Sequence, residues 1–280
     1  MECILQKRSL LCVTLGRYMA DLGYFSQKIG TVIDRVLCER FEKRERNVPT
    51  GRYVSLCFDD FPKSAVETAA PMIEARDWRA TWYVAGGFMG QTEPDYGAMF
   101  DAGDLARLKQ AGHDFGCHTF DHVDCRDASA AEIDEQCRRN IQFMAAHDIT
   151  DVRSFAYPFG AANLSSKRNL SDSDMALRGV KPGLNRGQID LNMLKACGLQ
   201  ENNGGIGQAL SDLEQLRRSD GWLIIFTHDV RSAPSPWGVT PEAYQQLLSA
   251  VAASGAEVVT VGDMIARIDA QTAKEQSIAA

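Results

Sequence analysis

The sequence predicts an α/β fold in which helices cover a parallel sheet, either as an α/β barrel or as a doubly wound sheet. Short apolar segments alternate with amphipathic segments of helical period along most of the 280 residues. This alternation is typical of parallel sheets, because each pair of parallel strands needs a long crossover connection. A chain of this length can form one large barrel with a single core. Polar residues also follow several apolar segments, and in such folds the carboxyl ends of the strands share one rim.

Composition narrows the class of protein. Hydrophobic residues make up 45% and charged residues 24% of the chain, which are ordinary globular values. The net charge of −7 and the lack of a basic stripe argue against a nucleic-acid partner. No stretch reaches the roughly 20 apolar residues of a membrane-spanning helix, and no signal-peptide cleavage site follows the first residues. The cysteines form no C-x-x-C pair, so we expect a cytoplasmic protein with reduced thiols.

Three regions are predicted along the chain: an N-terminal helical extension over residues 1–50, a barrel over 51–270 and a C-terminal tail over 271–280. Apolar residues recur at spacings of three and four through residues 1–40, which indicates helix. This apolar face either packs onto the barrel or makes a peripheral membrane or oligomer contact. We favour packing, because Cys, Gly and acidic residues dilute the basic face that a membrane-surface helix needs.

Strands and helices are predicted in a regular order after residue 51. Strands are expected at residues 54–58, 80–85, 113–118, 152–157, 222–227 and 257–261. Helices are expected at residues 64–76, 104–111, 129–146, 206–219, 241–254 and 262–270, with long loops at 86–103 and 158–187. The clearest helix start is Ser129, which forms a capping box with Glu132.

The strand predicted at residues 54–58 ends in two adjacent carboxylates, Asp59 and Asp60. Two ionised groups at the end of a core strand are costly unless a cation meets them, and a bound metal ion would do so. Neighbouring strand residues point to opposite sides of a sheet, so the two carboxylates are expected to have different roles. The alternative is a simple turn in which Asp caps the next helix.

A second cluster of polar residues, His118-Thr-Phe-Asp-His122, places two imidazoles four residues apart. If this stretch begins a helical turn, both ring nitrogens point the same way and can bind one ion. Two histidines with one carboxylate suit zinc, cobalt, nickel or iron better than magnesium. The spacing is weak evidence alone, but it gains weight because Asp59, Asp60 and His228 also follow predicted strands and are expected at the same rim.

Other polar residues have simpler structural explanations. His113 and His147 follow predicted helices. A histidine at a helix C-terminus can cap the helix and interact favourably with its dipole. Cys117 and Cys125 flank the histidine pair, and burial as small apolar side chains is favoured over a thiolate ligand. Asp121 is expected to accept a hydrogen bond from an imidazole rather than to bind an ion itself.

Four segments of the chain resemble the successive motifs of the NodB-homology polysaccharide deacetylases, carbohydrate esterase family 4. They are Cys57-Phe-Asp59-Asp60, His118-Thr-Phe-Asp-His122, Phe155-Ala-Tyr-Pro158-Phe-Gly160 and Ile225-Phe-Thr-His228, and the resemblance runs in order from about residue 52 to 265. It implies a distorted (β/α)7 barrel and metal-dependent hydrolysis of an N-acyl or O-acyl group on a sugar. We therefore expect an enzyme that removes an N-acyl group, acetyl before others, from a sugar or polysaccharide precursor.

The resemblance also implies a role for individual residues of this chain. Asp60, His118 and His122 would bind one divalent transition metal, zinc before cobalt, nickel or iron. Asp59 would be the general base, His228 the general acid, and the backbone N–H of Phe159 would stabilise the oxyanion. Tyr157 and Trp237 are candidate contacts for the acylated sugar. Trp237 is chosen because its loop lies just past His228, and packing within that loop is the alternative.

Two features depart from the family pattern. The arginine that often tethers the base is replaced by Ala156, and Arg153 and Arg186 are candidate substitutes. We favour Arg186, because Arg153 lies at the start of its strand, far from the rim. The family's Asp-rich Trp motif, which orients the acid histidine, is also not recognisable, and Asp190 is the candidate for that task.

Two alternatives to this function stay open. The same rim would suit a deformylase or an amidase acting on a non-polymeric substrate. It would also suit a barrel that binds metal or a glycan without turnover. The presence of Asp59 argues against the last reading, because a pure binding site has no need of a second carboxylate beside the ligand.

Overall fold

The computed structural model describes residues 30–201 and 204–279. The strands β1 to β12 span Glu45–Asn47, Arg52–Asp59, Thr81–Val84, Thr92–Glu93, Gly97–Ala98, Asp114–Cys117, Ser154–Ala156, Ala176–Arg178, Gln188–Asp190, Cys197–Gly198, Gly221–Thr227 and Glu257–Val258. The helices α1 to α8 span residues 30–40, Lys63–Glu74, Ala102–Gln110, Ala130–Ala146, Leu164–Ser171, Gly207–Arg217, Pro241–Ser254 and Val261–Ala279.

A parallel sheet forms the centre of the molecule and confirms the predicted α/β barrel. Its strands lie in the order β10-β11-β2-β3-β6-β7-β8, and β12 pairs with the first half of β2. The sheet curls as in a distorted (β/α)7 barrel. All of its pairings are parallel, so the carboxyl ends of these strands share one rim.

Strand β2 is the central element, because both of its faces are buried. Val54, Leu56 and Phe58 pack into the apolar layer between the sheet and the helices. Tyr53 and Cys57 alternate with them and pack into a second apolar cluster. The two-residue period of a strand explains this division, and burial on both sides explains the continuous apolar run.

The predicted loop over residues 158–187 is wrong, since it contains helix α5 and strand β8. Helix α5 reads Leu-Ser-Ser-Lys-Arg-Asn-Leu-Ser and carries too few apolar residues to show a helical period. Reciprocal hydrogen bonds between Asn163 and Ser166 cap its N-terminus. Lys167 buries its ammonium group beneath α1, where it donates to the carbonyls of Cys38 and Phe41.

The two ends of the chain also differ from the prediction. Residues 45–47, expected as a helix end and linker, form β1 and pair antiparallel with β9. Helix α8 continues to Ala279, through most of the predicted tail. In α1 the side chains of Val32, Ile33 and Val36 are exposed, and the contacts of Lys167 attach the end of this helix to the barrel. Residues 1–29 of the predicted extension lie outside the described residues.

Within the two described segments, no helix is both long enough and apolar enough to cross a bilayer.

Candidate metal centre

The sequence-predicted site residues meet at the carboxyl rim of the sheet, around a cavity of about 730 Å³. Its lining includes Asp59, Asp60, His118, His122, Tyr157, Phe159, His228 and Trp237. These side chains come from the ends of β2, β6 and β11 and from the turn that follows β7. The prediction that distant strand ends converge at one rim is confirmed.

Three of these residues form a compact set of potential metal ligands. One carboxylate oxygen of Asp60 and one ring nitrogen of each of His118 and His122 lie within 4.8 Å of one another. Oδ1 of Asp60 is 3.6 Å from Nε2 of His118 and 3.4 Å from Nε2 of His122. Among the described residues this buried oxygen has no hydrogen-bond partner. A buried, unpartnered carboxylate facing two imidazoles is costly without a cation, so the donor set fits a divalent metal ion.

Burial keeps the two imidazoles in the neutral form that metal ligands need. Desolvation lowers the pKa of His118 to about 3, with the positive charge of Arg178 as the next cause. Desolvation likewise lowers the pKa of His122 to about 2. Burial and the neighbouring Asp59 raise the pKa of Asp60 well above its ordinary value. A metal ion would reverse this last effect, because it favours the ionised carboxylate.

The tautomer of His118 is fixed by its other ring nitrogen. Nδ1 lies 2.7 Å from the carbonyl oxygen of Ala156, and a carbonyl can only accept, so Nδ1 carries the proton. Nε2 is left with its lone pair directed towards Asp60 and His122. Orientation through a hydrogen bond of this kind is typical of metal-binding histidines.

The histidine pair converges through a loop, and the expected helical turn at residues 118–122 is not present. Thr119 and His122 adopt positive φ angles of 58° and 52°. The Gln136 side chain holds the loop by accepting hydrogen bonds from the backbone N–H groups of Phe120 and Asp121. Left-handed conformations at non-glycine residues are strained and are common at functional sites.

The role expected for Asp121 is wrong. Its carboxylate accepts hydrogen bonds from Gln136 and Arg139 at 2.8 and 2.7 Å. The carbonyl of Ala156, and not Asp121, accepts the hydrogen bond from the imidazole N–H of His118. Cys117 and Cys125 are buried, as expected for structural thiols.

The tethering arginine for Asp59 is Arg178, and the prediction of Arg186 is wrong. Nη2 of Arg178 lies 2.6 Å from each carboxylate oxygen of Asp59, and both side chains are buried. Arg186 is exposed beside a different cavity, and Arg153 pairs with Asp151. Arg178 was missed because it ends the three-residue strand β8, which lies in the predicted loop.

Aromatic rings complete the setting of Arg178. The guanidinium carbon lies 4.9 Å from the ring centre of Tyr83 and 4.6 Å from that of Phe226. Such contacts are strongest when the cation is desolvated. The ion pair and the two rings therefore fix the position of the Asp59 side chain at the cavity.

His228 lies near the second carboxylate oxygen of Asp60, whereas the histidine pair lies near the first. Its Nε2 is 4.0 Å from Oδ2 of Asp60, and its Nδ1 donates to the carbonyl of Trp237 at 3.2 Å. Tyr96 stacks on the imidazole with 5.7 Å between ring centres and 8° between planes. Burial lowers the pKa of His228, and the negative charge of Asp59 opposes this effect.

The role expected for Asp190 is wrong, because this residue lies away from His228. Its Oδ2 is 2.5 Å from the ammonium of Lys167, and its Oδ1 accepts from the backbone N–H of Arg44. The carbonyl of Trp237 orients His228 instead. Tyr96 was also missed, since nothing in its sequence neighbourhood distinguishes it from other loop aromatics.

The remaining predicted residues line the same cavity. Phe159, whose φ is 58°, exposes its side chain and packs edge-on against His122 at 4.4 Å between ring centres. Tyr157 is buried, and among the described residues its hydroxyl has no hydrogen-bond partner. The rings of Trp237 and Tyr96 lie with their centres 5.8 Å apart. Trp82 and Trp222 are buried in the core, so only Trp237 of these three tryptophans reaches the cavity.

Comparison with known proteins identifies relatives of this chain. The family model described as polysaccharide deacetylase matches residues 46–177. A chitin deacetylase from Pestalotiopsis sp is 22% identical over 231 residues, which cover 79% of this chain and 69% of that protein.

Solved structures share the fold. A family 4 acetyl xylan esterase from Clostridium thermocellum, solved with a cobalt ion, is 19% identical with a TM-score of 0.55 and covers 77% of this chain and 91% of its own. A carbohydrate esterase family 4 pseudoenzyme from Bacillus anthracis is 14% identical with a TM-score of 0.55 and covers 79% of this chain and 67% of its own. The expected resemblance to the polysaccharide deacetylases is confirmed by the family model's match over residues 46–177 and by these relatives.

Proposed function

We propose that this protein is a metal-dependent carbohydrate N-deacetylase, which hydrolyses the amide of an N-acylated sugar, acetyl before other acyl groups. The observation that carries the proposal is the pairing of two arrangements in one cavity. Asp60, His118 and His122 form a metal-ligand set, and Asp59 stands beside them as a separate carboxylate held by Arg178. The family and the chitin deacetylase relative support this substrate class.

The residues of the chain divide the reaction between them. A divalent cation held by Asp60, His118 and His122 would supply Lewis acidity, lowering the pKa of water and polarising the acyl carbonyl. Asp59 accepts the proton of the attacking water, and Arg178 holds its carboxylate in place through contacts to both oxygens. The backbone N–H of Phe159 donates to the developing oxyanion.

His228 completes the reaction by donating a proton to the departing amine. Its Nδ1 is held by the carbonyl of Trp237, so Nε2 is the nitrogen available for proton transfer. Burial lowers the pKa of His228, and the negative charge of Asp59 opposes that effect by favouring the protonated imidazole. Tyr96 on the face of the ring restricts its rotation. Tyr157 and Trp237 are proposed to contact the sugar, because both line the cavity.

Zinc is the proposed metal. Two imidazoles and one carboxylate leave positions for water and substrate, which is the ligand pattern of catalytic zinc sites. Cobalt, nickel and iron accept the same donors. Metal analysis of the purified protein by mass spectrometry, before and after chelation, identifies the native ion.

The fold alone does not distinguish an enzyme from an inactive protein, because the Bacillus anthracis pseudoenzyme has the same fold. The residues of the site must therefore decide between the two. A barrel that only binds a glycan gains nothing from a base held by a buried bidentate arginine. The Asp59–Arg178 pair therefore favours turnover over binding. A formyl group or a non-sugar amide would be cleaved by the same residues, so these substrates belong in the same assay.

The experiment measures release of acetate and formate from a panel of N-acylated sugars and simple amides. We expect acetate from at least one sugar, and a decrease in kcat of roughly 10²-fold to 10⁴-fold in Asp59→Asn with unchanged metal content. Asp127→Asn, at an exposed carboxylate, is the matched control and should behave like wild type. A metal-loaded wild type that releases no acyl group, or an Asp59→Asn variant as active as wild type, would contradict the proposal.

The proposed compartment is the cytoplasm. Cys38, Cys57, Cys117, Cys125 and Cys197 are buried as free thiols, a state that reducing conditions maintain. Cell fractionation with an antibody to the protein tests the proposal, which predicts recovery with cytoplasmic markers. Recovery with exported proteins would overturn it.

A further inference from the structure

A second cavity, of about 700 Å³, adjoins the catalytic one and has no part in the chemistry described above. Gly160, Val180 and Pro182 line both cavities, so the two spaces meet at these residues. Gly160 has a φ of 63°, and a Cβ there would lie 2.2 Å from the Val180 side chain. The close approach of these two residues places the boundary immediately beside Phe159, at the edge of the metal centre.

The second cavity carries an excess of positive charge. Its basic lining residues are Arg35, Lys43, Lys181, Arg186 and Lys195, and its acidic ones are Glu39 and Asp190. Both acidic groups are already neutralised. Asp190 lies 2.5 Å from Lys167, and Glu39 lies 2.8 Å from Lys181.

Two cations of this cavity form no close ion pair: within residues 30–201 and 204–279, no carboxylate lies within 4.0 Å of the charged groups of Arg186 or Lys195. At longer range, burial raises the pKa of Asp212 and the charge of Arg186 opposes that effect. The chain as a whole is acidic, with a net charge of −7. A local excess of positive charge beside the reaction centre attracts anionic substrates, even though the protein as a whole is acidic.

We propose that the second cavity binds a phosphate group of the substrate, so that the favoured substrates are phosphorylated N-acylated sugars. This inference rests on the proposed deacetylase function. The guanidinium group of Arg186 presents a planar set of donors that matches phosphate, and Lys195 adds a mobile point charge. A phosphate ester carries more negative charge than one carboxylate and therefore suits several basic side chains better. A substrate with its acyl group at the metal centre would extend past Gly160, Val180 and Pro182, which line both cavities, to place its phosphate in the second one.

Kinetics provides the first test. We expect kcat/KM for N-acetylglucosamine 1-phosphate to exceed that for N-acetylglucosamine by about tenfold or more, since hydrogen bonds between charged groups are the stronger ones. The Arg186→Gln/Lys195→Gln double variant should reduce this ratio towards one while leaving the unphosphorylated sugar unchanged. Lys274→Gln, an exposed cation on α8, is the control for net charge.

Direct binding separates this inference from the function itself. Calorimetry with pyrophosphate and with N-acetylglucosamine 1-phosphate on the metal-free protein should show binding that weakens at least tenfold in the double variant and in high salt. Equal turnover of the two sugars, with no binding of either phosphate compound, would overturn the phosphate site and leave the deacetylase intact. Binding of both compounds without turnover of any acylated sugar would support the site and contradict the proposed function. Equal preference for a sugar carrying a carboxylate would contradict the choice of phosphate.

Discussion

Two histidines flank the same four-residue strand, β6, and they have opposite environments. At its amino end, His113 uses both ring nitrogens: Nδ1 accepts from the backbone N–H of Ala80 at 3.0 Å, and Nε2 lies 3.0 Å from Glu74. At its carboxyl end, His118 uses only Nδ1, and its Nε2 faces Asp60 without a hydrogen bond. Both side chains are buried.

The structural histidine and the functional one beside the same strand differ in their hydrogen-bond partners. Burial alone does not distinguish them, because desolvation lowers the pKa of both. The difference lies in the partners. Both ring nitrogens of His113 have hydrogen-bond partners. At the carboxyl rim only Nδ1 of His118 is hydrogen-bonded, and one oxygen of Asp60 has no partner among the described residues. Unmatched buried polar atoms are rare in native proteins, and here they point to a ligand.

The largest expected effect is at the carboxyl end of the strand. In His118→Gln the metal-ligand set loses a member, so bound metal should fall to background and deacetylation by about 10³-fold, the scale of several kcal/mol of Lewis-acid stabilisation. The equivalent substitution His113→Gln at the amino end should retain metal and activity. Equal metal loss in both variants would remove the distinction between the two ends.

The next effect concerns the charge beside the site. Arg178→Met leaves Asp59 buried without its cation, which should lower the free energy of unfolding by about 3–5 kcal/mol in denaturant titrations. Adding Asp59→Asn should restore much of that stability but not the activity. Arg153→Met, at an exposed pair with Asp151, should change stability by less than about 1 kcal/mol. If Arg178→Met lowered the free energy of unfolding by less than about 1 kcal/mol, as in the exposed control, the Asp59–Arg178 ion pair would not be needed for stability.

A smaller effect is expected at the amino end. His113→Phe keeps the aromatic edge packed against Trp82 but removes the partners of Ala80 and Glu74. The free energy of unfolding should fall by about 1–3 kcal/mol, the cost of unsatisfied buried groups. Metal content and kcat should stay at wild-type values. Loss of metal in this variant would mean that the two ends of the strand are coupled.

The smallest effect is a pH dependence of stability. Burial lowers the pKa of His113, and Glu74 opposes this only in part. The unfolded chain therefore binds more protons than the folded one below its own pKa of about 6.5, so stability falls as the pH decreases through that value. The stability difference between wild type and His113→Phe should shrink from pH 7.5 to 5.5. A difference that grows on acidification would reverse the assigned sign.

The sequence revealed the parts of the fold that have a strong apolar period and the residues at their ends. The apolar run of β2 ending at Asp59 and Asp60 predicted both the central strand and its carboxylates. Strand β11 and His228 were predicted in the same way, because seven consecutive residues of that strand are buried. Long apolar strands can be recognised from the sequence alone. The polar residues that follow them could therefore be predicted to share one rim of the sheet.

The parts that escaped prediction depend on contacts between distant residues. Arg178 ends a strand of only three residues, too short for a recognisable apolar run, and only the fold brings it to Asp59. Tyr96 reaches His228 from a loop with no apolar period. Residue type and position along the chain predicted Arg186 as the tether of the base and Asp190 as the partner of His228. In the structure Asp190 pairs with Lys167, and Arg186 lines the second cavity.

The most direct test of the metal centre is a crystal structure of the protein grown with zinc, with anomalous diffraction recorded on both sides of the zinc edge. The account predicts one peak about 2.0–2.2 Å from a carboxylate oxygen of Asp60 and from Nε2 of both His118 and His122. Asp59 should remain outside the coordination shell and paired with Arg178. A peak elsewhere, no peak, or a zinc ion bound by Asp59 in place of Asp60 would contradict it.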